Sequence, residues 1–444
     1  MQFQELTNIL RFVVSIVAVS ASGTTFGGTT QSPVTAYVDG SVLNSSGDGY
    51  YSKATILVRD AKIDSIGGDG SSRIPEGARI VRLTGQYIIP GLINSHVHLA
   101  TLAVPRDARA YLRRELYSGV TMVRDMAGDV RLIAELKREA SQDEIVAPDV
   151  YYAALFAGES FFTDPRSHAA SRGIEPGKAP WMQAITPNTD LRQAVAEAKG
   201  TGATAIKLYA DMPASLIKAI TAEAHRQNML VWSHAAIFPA RPSDVVDAGV
   251  DVMSHADFIA FESDIPFPGS FEKAMQTDHS QWHMTPAEES VLSEMKKRSI
   301  ILDATLDVGF RYPFKNWPSF LAPQLAREAY RQGIPIAAGT DDDPPDWKDS
   351  DSALLAEIER LVRDVGMTTV DALRAATVVS ARTIGEQNSV GLLAEGRIAN
   401  FVVLSADPLR DIHNLHSVTL VVKHGIPHPR SGYRHTPRPM PPTR

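Results

Sequence analysis

Cysteine is absent from the 444 residues, which excludes disulfides, thiolate metal ligands and a lipid-modified cysteine behind an N-terminal leader. Any metal would have to be held by His, Asp or a modified Lys. Basic charge is also in short supply: the formal net charge is -7 and the pI near 6.0, so the electrostatic footprint of a nucleic-acid binder is missing. Long apolar runs are scarce too. The stretch Phe12-Val13-Val14-Ser15-Ile16-Val17-Ala18-Val19 is too short to span a bilayer. It follows Arg11 and precedes Ser20-Ala21-Ser22-Gly23, the order of a secretory signal cleaved after small residues. We therefore expect a signal peptide over residues 1–22, a secreted or periplasmic protein, and no membrane association after processing. If the segment is not a signal, the location is cytoplasmic.

What is present is a globular composition, 44% hydrophobic and 21% charged, in a chain long enough for a large barrel with a smaller accessory domain. Residues 34–85 read as short strands broken by Gly, Asp, Ser and Asn, and that texture returns within 386–425. Residues 426–444, rich in Pro, Arg and His, read as a solvated tail. No internal repeat is visible beyond alternating strands and helices.

Between these ends, the run Tyr87 to Ile93 leads to His96-Val97-His98. Alternate residues of a strand share a face, so the two imidazoles can hold one ion. With 13 histidines, chance alone gives roughly 0.4 such pairs per chain, so the motif draws its weight from its company. Four further candidate ligands end short apolar runs: Lys207 after Ala203 to Ile206, His234 after Met229 to Ser233, His255 after Val250 to Ser254, and Asp341 after Ile334 to Thr340. Helical stretches, Asp190 to Lys199 and Ala214 to Gln227, precede the first two runs. Such alternation predicts βαβ units and a parallel sheet, and a closed (β/α)8 barrel gathers chemistry at the C-terminal ends of its strands. Strand parity puts Lys207 with Ala205 and Tyr209, His234 with Trp232, His255 with Met253, and Asp341 with Gly339.

This order of ligands, with Ser118 to Asp125 and Gly396 to Leu404, resembles the binuclear-metal branch of the amidohydrolase superfamily. Ala205-Ile206-Lys207-Leu208-Tyr209-Ala210 and Val231-Trp232-Ser233-His234-Ala235 are most similar to its imidazolonepropionase-like and prolidase-type group. One departure is Asn400, where the family commonly has Asp. The resemblance implies an α/β fold: a TIM-like (β/α)8 barrel over residues 86–385, with a small β-sandwich built from both chain ends, 34–85 plus 386–425. It also implies two divalent metal ions, zinc by default, because imidazole and carboxylate suit that ion. His96, His98 and Asp341 would complete one site and His234 and His255 the other, bridged by N6-carboxylated Lys207. A small-molecule substrate and a homo-oligomer are expected.

The implied reaction is hydrolysis of a non-cyclic or peptide-like amide in a small carboxylated substrate, such as a dipeptide or N-acyl amino acid. Asp341 would carry the proton and Tyr209 would donate to the developing oxyanion. Hydrolysis of a cyclic amide, imidazolone or lactone is the alternative, and a non-catalytic scaffold of the same fold the contrasting class. Deamination is disfavoured, because Ala235-Ala236-Ile237-Phe238 follows His234 where the family's deaminases place a glutamate. Specificity is expected from residues 158–178, with Phe161, Phe162, Arg166 and Arg172, and from the insertion Phe258 to Lys297; Arg311 is a further candidate clamp. His225 reads as surface, while His168, His279 and His283 read as exposed loop residues and Asp342 and Asp343 as loop lining.

Overall fold

A computed structural model describes residues 33–68, 73–264, 266–311, 318–344 and 351–434. The expected signal peptide lies outside them. Among the described residues, no helix is long and apolar enough to cross a membrane.

Eight parallel strands form the barrel. In order they are Leu92–Val97, Val120–Asp125, Asp149–Ala157, Ala205–Leu208, Leu230–His234, Val252–Ser254, Ile301–Asp303 and Ile336–Ala337. Each pairs with its successor in parallel. The circle closes from the eighth segment to the first, where Ser95 N donates to Ala338 O at 2.9 Å and Asp341 N to His96 O at 3.0 Å. A hairpin, Lys178–Ala179 with Met182–Ala184, is added beside the third strand.

The barrel interior follows the predicted alternation. Ala153, Ala205, Trp232, Val252, Ile301 and Ala337 pack together inside, whereas Ile206, Leu208 and Val231 face the helices. Both predicted helices form: Leu191–Gly200, with Asp190 accepting from Gln193 N, and Ala214–Arg226. Glycine is required once inside. A Cβ on Gly339 would lie 2.4 Å from Asp303 Oδ1 and 2.7 Å from His96 Cβ, so a larger residue would push apart the two groups that meet there.

Beside the barrel, strands from both chain ends form a mixed sheet. Its path runs Ile426–Pro429, Val418–Lys423, Phe401–Leu404, Tyr87–Pro90, Thr35–Leu43, Tyr50–Arg59 and Lys62–Gly67, with Arg79–Arg82 on Thr35–Leu43. Two expectations are corrected here. Ile426–Pro429 is not tail but an antiparallel strand on Val418–Lys423, so the apolar edge of that strand is covered. Tyr87–Pro90, assigned to the barrel, belongs to this sheet because it pairs with Phe401–Leu404; barrel pairing begins at Leu92.

The two bodies are tied by a buried ion pair. Lys423 Nζ lies 3.0 Å from Asp149 Oδ1 and donates to Ala140 O at 2.8 Å. Asp149 also takes His424 Nε2 at 2.8 Å.

Candidate active site

The C-terminal ends of the strands place the ligand-type side chains around one point. His96 and His98, from the first strand and the residue just beyond it, both aim Nε2 at Asp341 Oδ1, at 3.2 and 3.0 Å. His255 Nδ1 lies 3.9 Å from Asp341 Oδ2, and its ring is 5.0 Å from that of His96 and 4.7 Å from that of His234. Ligand atoms of His96, His255 and Asp341 all fall within 4.8 Å of one another. Lys207 lies fully buried on the fourth strand, opposite Trp232 in register, with no hydrogen-bond partner for Nζ. His234 Nδ1 is likewise buried without a hydrogen-bond partner.

These orphaned donors fit a metal. Tetrahedral zinc with bonds near 2.0–2.1 Å spaces its ligand atoms about 3.3 Å apart, close to the His96, His98 and Asp341 separations. The unused imidazole nitrogens are held as metal-binding histidines require. His96 Nδ1 donates to Asp303 Oδ2 at 2.7 Å, His98 Nδ1 to Ala127 O at 3.3 Å, and His255 Nδ1 is 3.0 Å from Thr305 Oγ1.

The electrostatics match. Burial pushes His255 down to about 3 and His234 well below the usual histidine range, so both keep a free lone pair at neutral pH. Burial also pushes the Lys207 amine down to about 7. For Asp341, burial opposes the charge, but His96 and His98 outweigh it and hold the carboxyl well below its ordinary value.

Above this floor opens a cavity of about 440 Å³. Its walls are mainly apolar, including Met126, Phe161, Met182, Phe258 and Phe271, and its one arginine among the described residues is Arg166. Arg166 is gripped by Asp164, through Nε at 3.1 Å and Nη2 at 2.7 Å. The Tyr209 ring stands 4.1 Å from His234 and 4.6 Å from Phe161. Burial raises the Tyr209 pKa more than Arg166 lowers it, so the phenol stays protonated and can donate.

The amidohydrolase family model matches residues 87–426, the barrel and the closing strands together. The chain belongs to the amidohydrolase family. It is a hydrolase of carbon–nitrogen bonds, in a family whose members generally bind divalent metals. The chain is 26% identical to Aspergillus niger ochratoxinase over 427 residues, covering 82% of this chain and 80% of that protein. To Porphyromonas gingivalis imidazolonepropionase it is 22% identical over 384 residues, covering 79% and 83%. Among solved structures, a Xaa-Pro dipeptidase shares the fold with a TM-score of 0.70 at 19% identity, covering 89% of this chain and 100% of that one. Phenylurea hydrolase B shares it with a TM-score of 0.71 at 18% identity, covering 91% and 99%.

For this amidohydrolase, the residues singled out from sequence, His96, His98, Lys207, Tyr209, His234, His255 and Asp341, converge on one end of the barrel. Their local routes differ from simple alternation in one case. Met253 faces the helices, and Val252 and Ser254 face inward, so His255 should point out; a left-handed backbone at His255, φ 68°, turns its imidazole back in. Asp341 is also left-handed, φ 52°.

Four peripheral expectations are corrected. His279 is buried, 3.2 Å from Asp264 and edge-on to Phe261, because the insertion folds over it. Asp342 is not loop lining: it is buried and accepts from Tyr111 and from Arg114 at 3.3 Å. Arg311 holds the loop of the eighth strand rather than facing substrate, bonding Thr340 O at 3.0 Å and Asp307 at 2.6 Å. Arg172 lies exposed and outside the cavity lining.

Sequence reasoning missed Asp303 and Arg124. Asp303 Oδ2 accepts His96 Nδ1, Arg124 Nη2 at 2.8 Å and Ser254 Oγ at 2.8 Å, all within the barrel. Arg124 bonds Ser95 O and lies over the Trp232 ring at 4.6 Å. The signal was available: Asp303 ends the apolar run Ile300-Ile301-Leu302 on the inward parity of Ile301.

Proposed function

We propose that this amidohydrolase cleaves a linear amide in a small carboxylated substrate, such as a dipeptide or N-acyl amino acid. The observation that carries the reading is the meeting of His234 Nδ1 and Lys207 Nζ, buried and unpartnered, with Asp341, which His96 and His98 face, beneath a largely apolar cavity containing one arginine among the described residues. His96, His98 and Asp341 fit one divalent ion, and His234 and His255 a second. The Lys207 amine, pushed down to about 7 by burial, would react in its neutral form with carbon dioxide to a carbamate, releasing a proton, and so help to hold the ions. Bound there, the metal pair supplies water acidified to near-neutral pKa and a Lewis acid for the scissile carbonyl.

The side chains divide the remaining work. Asp341, ionised because the histidines favour its charge, accepts the proton of the attacking water and returns it to the leaving nitrogen. Tyr209, protonated, donates to the oxygen on which charge develops. Arg166, held in place by Asp164, takes the substrate carboxylate, while Phe161 and Phe271 exclude water around it.

The test is turnover, read by mass spectrometry, on protein of known metal content. The panel pairs dipeptides and N-acyl amino acids with cyclic amides, imidazolones and lactones. Linear amides should be cleaved with a kcat/KM at least tenfold above the ring compounds, about 1.4 kcal/mol in the transition state. Preference for rings would overturn the reading.

A further inference from the structure

A second cluster of ligand-type side chains lies outside the active site, where the chain end packs on a barrel helix. Ile412–Ser417 is a 3-10 helix, and with three residues per turn, positions three apart share a face. Ile412 and Leu415 accordingly bury into the core. His413 and His416 share another face, with ring centroids 4.8 Å apart, and meet Glu359 of the helix Ala353–Arg360. Asp411 fixes the start of the segment by accepting from His413 N at 3.0 Å.

Three ligand atoms converge there. Glu359 Oε1 lies 2.9 Å from His413 Nδ1 and 3.0 Å from His416 Nε2. On its other side His416 Nδ1 lies 2.9 Å from Asp351 Oδ2, and Asp351 Oδ1 accepts from Arg430 Nη2. A neutral imidazole has one N–H, so His416 can donate to only one of the two carboxylates that flank it. Positive charge at Nε2 reconciles both. A proton there serves His416 alone, whereas a metal ion takes a lone pair from His413, His416 and Glu359 together. Asp351 then stands where metal-binding histidines keep a carboxylate, on the N–H of the other ring nitrogen. None of these residues lines the catalytic cavity.

We propose that Glu359, His413 and His416 bind a further divalent ion, zinc or a neighbouring first-row metal, with water as the fourth ligand. Tetrahedral zinc spaces its ligand atoms about 3.3 Å apart, so the contacts of Glu359 with the two histidines need only widen slightly. Two imidazoles select against calcium and magnesium, which take oxygen ligands. The His413 side chain is 72% exposed, so the open position meets solvent and the ion acts as a structural clip between the helix and the 3-10 segment.

The test is titration of the metal-loaded enzyme, freed of excess metal, with Zn²⁺ and with Co²⁺, read by calorimetry and by cobalt absorption. The variants are the double substitution His413→Ala with His416→Ala, and the isosteric Glu359→Gln. The wild type should bind one equivalent more than the double variant, a difference that stands whatever number of ions the barrel holds. Glu359→Gln should weaken that equivalent, and Asp351→Asn should weaken it by about 10- to 100-fold while leaving all three ligands in place. At a hundredfold excess over its dissociation constant, zinc should raise the melting temperature by about 3 °C more in the wild type than in the double variant. Turnover should be the same in both, and Mg²⁺ should not compete. Equal metal binding by the wild type and the double variant would overturn the proposal, leaving a proton shared between His416 and its carboxylates.

Discussion

Asp303→Asn is the most revealing perturbation, because one carboxylate serves both fold and chemistry. Its Oδ2 neutralises Arg124, which has no exposed side-chain surface, and orients His96 by accepting from Nδ1. Burial raises the Asp303 pKa, yet His96 and Arg124 outweigh it and keep the group ionised. The asparagine keeps the shape and removes the charge. Leaving a buried guanidinium without its carboxylate costs about 3–5 kcal/mol. With roughly 2.1 cal/mol/K of unfolding entropy per residue over about 400 residues, the melting temperature falls by about 4–6 °C. Metal affinity falls by about 10- to 100-fold, since the held tautomer of His96 is lost. Calorimetric melting and metal titration read the two effects separately. Arg124→Met in the same chain should restore most of the melting temperature, because the lone charge is gone, while metal affinity stays low. An Asp303→Asn protein that melts within about 1 °C of wild type and binds metal as tightly would refute this reasoning.

Other substitutions probe the remaining parts. Lys207→Ala should abolish turnover, with partial rescue by short carboxylic acids; full activity in Lys207→Arg would sink the carbamate. Tyr209→Phe should lower kcat by about 10²- to 10³-fold with little change in KM, as expected for a donor used only in the transition state. Arg166→Leu should raise KM for carboxylated substrates by about 10- to 150-fold, the worth of a charge-assisted hydrogen bond, and leave their neutral amides unaffected. Asp149 anchors Lys423 and His424, and although burial opposes its charge these partners depress its pKa. Its stabilisation is therefore present above the ordinary aspartate range and lost as pH falls through the depressed folded value. Melting curves of Asp149→Asn should show that acid dependence weakened, with a loss of about 3 kcal/mol at neutral pH from the stranded lysine.

The convergence of these side chains could be read from sequence because two rules acted together. A barrel collects chemistry at strand ends, and period-two alternation says which strand residues face inward. Both held for His96, Lys207 and His234. Alternation failed at His255, where the strand ends at Ser254 and a positive φ re-aims the side chain; that turn is set by tertiary packing after the strand, not by local pattern. Asp303 obeyed the same rules and was overlooked because it bonds a ligand instead of resembling one. Arginines in loops could not be sorted in advance. Arg166 and Arg311 look alike in sequence, and only folding shows the first lining the cavity and the second bound to Thr340 O. The strand Ile426–Pro429 was hidden by its prolines, which an edge position tolerates.

The central claim is that the convergent His, Lys and Asp side chains work by holding two divalent ions. The direct measurement is turnover of a linear N-acyl amino acid by chelator-stripped protein, titrated with zinc while bound metal is counted by elemental analysis. The account predicts no turnover without metal and a rise that saturates at two equivalents per chain. Full turnover with metal content near zero would contradict it.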